Sequence, residues 1–192
     1  MKESDSVVYF ATKNKGKYAE VEKVASKHGI RLVHLSWKKH EIQEDDLSVI
    51  ACFAAEEAAR ESKTHSVVAE DAGFFVAALH GFPGPYSSYT FDKLGTQGIL
   101  KLMQNVNQRE AFFSSAVAFS NDGISSICFN GIVKGTVSLV SRGTQGFGFD
   151  PIFIPSQGDG RTFAEMEISE KNRLSHRAMA FQKFFEWFKT KQ

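Results

Sequence analysis

Along the first third of the chain the apolar positions switch between two periods, and each switch marks an element. Val7-Val8-Tyr9-Phe10-Ala11 is a short unbroken apolar run, the pattern of a buried strand. After Thr12 and Asn14, Tyr18, Val21, Val24 and Ala25 recur at helical spacing until Gly29 ends the repeat. Residues 31–35 alternate and predict a second strand. Leu47, Ile50, Ala51, Ala54 and Ala58 form the apolar stripe of a second helix, and residues 66–69 predict a third strand that ends at Glu70-Asp71-Ala72-Gly73. Gly81-Phe82-Pro83-Gly84-Pro85 reads as a loop, because two prolines and two glycines deny it regular hydrogen bonding. A helix around 98–103 follows. Residues 111–120 and 124–130 flank Asn121-Asp122-Gly123, a hairpin signal, and 133–141 continues the antiparallel run. A last helix covers roughly 173–189. With no repeat or linker in view, the pattern predicts one mixed α/β domain over residues 1–192: βα units, then an antiparallel meander, then a closing helix.

Composition narrows the function classes. A length of 192 residues suffices for one well-buried core. A net charge of +1 withholds the bulk electrostatic footprint of a nucleic-acid binder. Met1-Lys2-Glu3-Ser4-Asp5 lacks the apolar run of a signal peptide, and no stretch approaches transmembrane length, so a cytoplasmic protein without a membrane partner is expected. Cys52 and Cys128 stand far apart and outside C-x-x-C spacing, which favours free thiols over a disulfide or zinc site. Phe outnumbers Tyr by 18 to 4; most of these rings belong in a core, and only those in glycine-rich loops are candidates for ligand contact.

Three regions carry candidate chemistry. Thr12-Lys13-Asn14-Lys15-Gly16-Lys17 lies between a predicted strand and a predicted helix, where free backbone N–H groups and the helix dipole favour an anion. The spacing is not that of a P-loop, and a helix start with a solvated basic face would use the same residues. Glu70 and Asp71 are carboxylates at a predicted strand end, a usual place for function in α/β proteins, and Glu41 stands in a polar connection. Gathered together, such oxygens hold Mg²⁺; taken singly, they are surface charges. Gly146-Phe147-Gly148-Phe149-Asp150-Pro151, with Lys171, Ser175, His176 and Arg177, offers rings to stack a flat ligand and donors to read its edge. No nucleophile–His–acid set at convincing spacing occurs, so covalent catalysis is not indicated.

Taken jointly, these segments resemble the inosine triphosphate pyrophosphatase family. The resemblance rests on Thr-x-Asn-x-Gly-Lys at 12–17, and on Glu70-Asp71-Ala72-Gly73 running into Gly81-Phe82-Pro83-Gly84-Pro85-Tyr86-Ser87-Ser88. It rests also on Gly146 to Phe153, Thr162-Phe163-Ala164-Glu165-Met166, Glu170-Lys171-Asn172 and Ser175-His176-Arg177. It implies hydrolysis of ITP, dITP and XTP to the monophosphate and pyrophosphate, with Mg²⁺, in a homodimer. The implied fold is an elongated, twisted mixed β-sheet flanked by helices, with the nucleotide in a cleft between two lobes. Carried onto this chain, residues 12–17 would cradle the triphosphate, and Glu41 and Asp71 would hold Mg²⁺. Asp71 would also activate water. Phe147, Gly148, Phe149, Asp150, Lys171, His176 and Arg177 would enclose the base.

A donor such as Arg177 or Lys171 would favour the 6-oxygen of hypoxanthine or xanthine over the amino group of adenine. Two departures stand out. Ala72 replaces a common serine, leaving only its backbone to contact substrate, and the helix at 47–62 lacks the Glu-Asn-Ala-x-x-Lys-Ala run of many members. A related pyrophosphatase for other modified nucleotides, or a nucleotide- or RNA-binding module without catalysis, are the competing readings.

Overall fold

The computed structural model describes residues 7–40 and 42–191. Among these residues, seven strands form one mixed sheet: β1 (Val7–Ala11), β2 (Arg31–Leu35), β3 (Val67–Val76), β4 (Pro83–Gly84), β5 (Glu110–Ser120), β6 (Ile127–Val137) and β7 (Phe153–Pro155). The order is β2-β1-β3-β5-β6-β7, with β4 paired to β3 off that path. β1 is parallel to β2 and β3; every other pairing is antiparallel. Among the described residues, five α-helices accompany the sheet: α1 (Lys15–Lys27), α2 (Leu47–Ser62), α3 (Ser87–Leu102), the short α4 (Ile168–Lys171) and α5 (His176–Lys189). Among the described residues, no helix is long and apolar enough to cross a membrane.

Side-chain alternation divides the core. Val8, Phe10, Val68 and Val117 point to one sheet face and pack against α1 and the Phe-rich face of α5 (Phe181, Phe184, Phe185, Phe188). Ala69, Ala116 and Ala118 point to the other face and meet Ala51, Ala54 and Ala55 of α2, so small side chains on both sides let that helix lie close to the sheet. On the same face as α5, past its start, Phe74, Phe113, Ile152, Phe153 and Phe163 fill a further core with α3 residues such as Ile99. Most of the phenylalanines are therefore core, as the composition suggested.

The first two strands and helices form where periodicity places them, and α1 begins at the N-cap Asn14, whose side chain accepts from Lys17 N at 3.0 Å. Four expectations change. The helix expected around 98–103 begins earlier, at Ser87. The third strand does not end at Glu70-Asp71-Ala72-Gly73; β3 continues to Val76, because β5 pairs with it all the way from Val67 to Val76. Its parallel partner β1 does stop, opposite Ala69, so Glu70 and Asp71 sit just past the parallel pairing, at an opening in the sheet. Pro83-Gly84, expected as loop, forms a two-residue bridge to Phe74 and Phe75. The two strands expected at 124–130 and 133–141 are one strand, β6, held by β5 from Ile127 to Thr136.

Candidate active site

At that opening lies a cleft of about 690 Å³, walled by the β1–α1 connection, mid-β3, the start of α3, the 147–150 loop, and the start of α5. Alternation along β3 decides what each acid faces. Glu70, in phase with Val68, points to the α1/α5 side; Asp71, in phase with Ala69, points to the α2 side.

On the α1/α5 side three carboxylates meet three cations. Glu70 has a wholly enclosed side chain; it takes Lys17 Nζ at 2.7 Å, Arg177 Nε at 3.1 Å and Ser115 Oγ at 2.7 Å. Glu20 of α1 accepts Lys171 Nζ at 2.6 Å and also the Arg177 guanidinium. Asp150 accepts Lys171 Nζ at 2.5 Å and Phe147 N at 2.9 Å. Burial alone pushes Glu70 up, but Arg177 and then Lys17 outweigh it and hold its carboxyl well below the usual range. Glu20 is likewise held low: burial opposes ionisation, and Arg177 and Lys171 overcome it. Asp150 is pushed up, first by burial and then by the nearby Glu20, despite Lys171. His176, first residue of α5 after the N-cap Ser175, lies flat on Phe113 with ring centroids 4.7 Å apart and planes 8° apart. Burial, then the neighbouring Arg177, keeps its imidazole far below its ordinary pKa, hence neutral.

On the α2 side Asp71 carries the Lys39 ammonium on Oδ1. Burial pushes its carboxyl up, against the pull of Lys39 and Lys17. Its side chain is 12% exposed at the cleft, and what it already holds there is a cation. A part-buried carboxylate facing the cleft with an ammonium on one oxygen is a donor suited to a hard divalent ion. Glu70, with Arg177, Lys17 and Ser115 on its oxygens, is not. Glu41, the other expected metal ligand, lies outside the described residues.

The remaining expected residues separate. Thr12, Lys13, Asn14 and Lys17 line the cleft; Lys15 and Gly16 do not. Lys15 is the exposed first residue of α1, and Gly16 lies under the Phe147 ring, where an added Cβ would stand 2.7 Å from ring atom Cδ1. Ala72, Gly148, Asp150, Lys171, His176 and Arg177 are all in the wall. The two loop rings differ. Phe147 is half-buried, with Lys171 Nζ 5.0 Å and Arg177 Cζ 5.3 Å from its centroid. Phe149 also reaches the wall, but it is only 2% exposed, its ring packed on Phe74 at 5.2 Å and edge-on to Phe91 at 5.5 Å. Phe147 is thus the ring with the accessible surface. Gly146 permits the loop: its φ is +72°, and a Cβ there would stand 2.1 Å from Asp150 Oδ2.

A family model places this arrangement: the Ham1 family matches residues 8–187. The chain belongs to the Ham1 family. It is 47% identical over 179 residues to a protein of Saccharolobus solfataricus named dITP/XTP pyrophosphatase, covering 93% of this chain and 92% of that one. It is 43% identical over 182 residues to a Methanopyrus kandleri protein of the same name, covering 95% and 96%. Among solved structures, a HAM1 protein from Coxiella burnetii superposes with a TM-score of 0.83 at 26% identity, covering 96% of this chain and 99% of that one.

Within this Ham1-family cleft, sequence reasoning missed Glu20, Lys39 and Ser115, and read Glu70 only as a strand-end carboxylate. Glu20 did leave a trace, being a carboxylate four residues before Val24 on the apolar stripe of α1. Ser115 left none: it reaches Glu70 only because β5 pairs Val117 with Glu70, which puts Ser115 two residues along on the same face.

Proposed function

We propose that this protein hydrolyses deaminated purine nucleoside triphosphates (ITP, dITP and XTP) to the monophosphate and pyrophosphate, through one catalytic domain spanning residues 1–192. The observation that carries the reading is that a single cleft gathers the basic start of α1, Asp71 at the sheet opening and the 147–150 and 171–177 segments. The names and high identity of the relatives support the substrate class.

In this reading Thr12, Lys13, Asn14 and Lys17 receive the triphosphate, adding side-chain donors and charge to the free N–H groups at the start of α1. Asp71 accepts the proton of the water that attacks the α-phosphorus, its carboxylate standing in the wall of the cleft at the sheet opening. Mg²⁺, held by Asp71 and Glu41, would supply neutralisation of the triphosphate charge. The base lies against Phe147. The bonds to carboxylates occupy two of the three ammonium N–H groups of Lys171 and two of the five N–H groups of Arg177. The others are available to an oxygen at position 6, and adenine's amino group would set donor against donor. The family resemblance adds a homodimer in the cytoplasm to this proposal.

The test is a panel of ITP, dITP, XTP, ATP, GTP and UTP with Mg²⁺ and pyrophosphate detection, run on the wild type and Asp71→Asn. We expect turnover of the deaminated purines. The variant should lose it while still folding and binding nucleotide, because Asn removes a carboxylate that burial already disfavours. Comparable turnover of UTP would refute the substrate class, and wild-type turnover by Asp71→Asn would refute the base.

A further inference from the structure

The ammonium on Asp71 is that of Lys39, which belongs to the connection between β2 and α2. Two contacts fix that connection against α2 on either side of Lys39. Trp37 Nε1 donates to Glu61 Oε2 at 2.6 Å, and the His40 imidazole meets Glu57 Oε1 at 2.6 Å. Lys39 is thereby delivered to Asp71 Oδ1, and its side chain remains 21% exposed at the cleft. Lys13, Lys17 and Lys38 line the same cleft, so Lys39 is one of several ammonium groups there.

We propose that Lys39 is an exchangeable counter-ion: in the nucleotide-free protein its ammonium takes the cation position on Asp71, and on substrate entry it passes to the triphosphate. The inference rests on the function proposed above. Its physical basis is charge. An ammonium and a divalent ion in contact with the same carboxylate oxygen repel strongly in a partly desolvated site, so a metal arriving alone has to displace Lys39 without bringing an anion to receive it. A metal arriving with a triphosphate brings that anion, and the four-carbon lysine stem lets the charge swing between the two. The device makes metal binding depend on nucleotide, by linkage between the two ligands. Lys39 is then a positioning residue that keeps Asp71 from holding metal before substrate is present.

The experiment measures Mn²⁺ binding to the nucleotide-free protein by electron paramagnetic resonance, for wild type, Lys39→Met and Lys39→Arg, alongside the KM for ITP with Mg²⁺. Lys39→Met is expected to tighten Mn²⁺ binding about tenfold and to raise the KM by a similar factor, since it removes both the competitor and the phosphate contact. Lys39→Arg, which keeps the charge, should stay within about threefold of wild type in Mn²⁺ affinity. Unchanged or weaker Mn²⁺ binding by Lys39→Met would overturn the counter-ion role, and an unchanged KM would overturn the transfer to phosphate. The double variant Lys39→Met with Asp71→Asn separates this failure from that of the site reading. If the double variant binds Mn²⁺ as tightly as Lys39→Met, Asp71 is not the metal ligand and the functional reading itself falls.

Discussion

Glu70→Gln perturbs the charge network at its most enclosed member while keeping the side chain's shape. The carboxylate is met by Lys17 at 2.7 Å, Arg177 at 3.1 Å and Ser115 at 2.7 Å, with none of its side chain exposed. Removing one partner of a buried ion pair costs about 3–5 kcal/mol. Two features place this case at the low end: Arg177 keeps Glu20, and the Lys17 side chain, 18% exposed, regains water. The expected loss is therefore about 3 kcal/mol, which at a urea m-value of about 2 kcal/mol/M lowers the unfolding midpoint by about 1.5 M. The variant should still fold, since domains commonly hold about 5–15 kcal/mol.

The pH dependence gives a second reading of the same variant. Burial works against ionisation of Glu70, but Arg177 and Lys17 prevail, so its folded pKa lies below the unfolded value of 4.5. A depressed carboxyl contributes its stability above the unfolded pKa and loses it as pH falls. The gap between wild type and Glu70→Gln should thus be constant from pH 8 to about 5.5 and narrow below about 4.5. Urea unfolding at pH 7.5 and pH 4 measures both. A loss under about 1 kcal/mol at pH 7.5, or a gap that does not narrow at pH 4, would refute the reasoning.

Other predictions address the start of α5. His176 is held neutral by burial and by Arg177, whereas the unfolded chain takes up a proton near pH 6.5. Stability should fall as pH drops below that value, and His176→Gln should lose less Tm than wild type between pH 7.5 and 5.5; equal losses would contradict the assignment. Arg177→Lys keeps the charge, but one ammonium cannot reproduce the guanidinium that bonds Glu70 and Glu20 together. Losing an oriented charged donor is worth about 1.5 kcal/mol, so the ITP-over-ATP ratio of kcat/KM should narrow about tenfold. An unchanged ratio would remove Arg177 from base selection. The lysine variant is preferable to Arg177→Ala, which would take one cation from each of two buried carboxylates and blur specificity with stability.

Local rules made the βα half of the molecule legible: apolar period, the Asn14 cap and the Gly29 stop all act within one turn of chain. The end of β3 was not legible, because what prolongs that strand to Val76 is pairing with β5, some forty residues later in the chain. The candidate site divides in the same way. Motifs disclosed the residues that line the cleft, but not how their charges are used. Lys171 and Arg177 read as free donors in the sequence, and the fold shows both bonded to Glu20 with Asp150 and Glu70 beside them. Likewise Phe149 reads as a stacking ring, yet Phe74 and Phe91 claim it for the core. Such partnerships depend on which elements pack together, and residue type alone does not encode them.

The central claim concerns the purine that this cleft selects and the bond that is broken there. Its most direct test is the ratio of kcat/KM for ITP to that for ATP, with the products identified in the same reactions. We predict IMP and pyrophosphate, and a preference for ITP over ATP of about a hundredfold or more. Comparable efficiency on ATP, or release of inorganic phosphate in place of pyrophosphate, would contradict it.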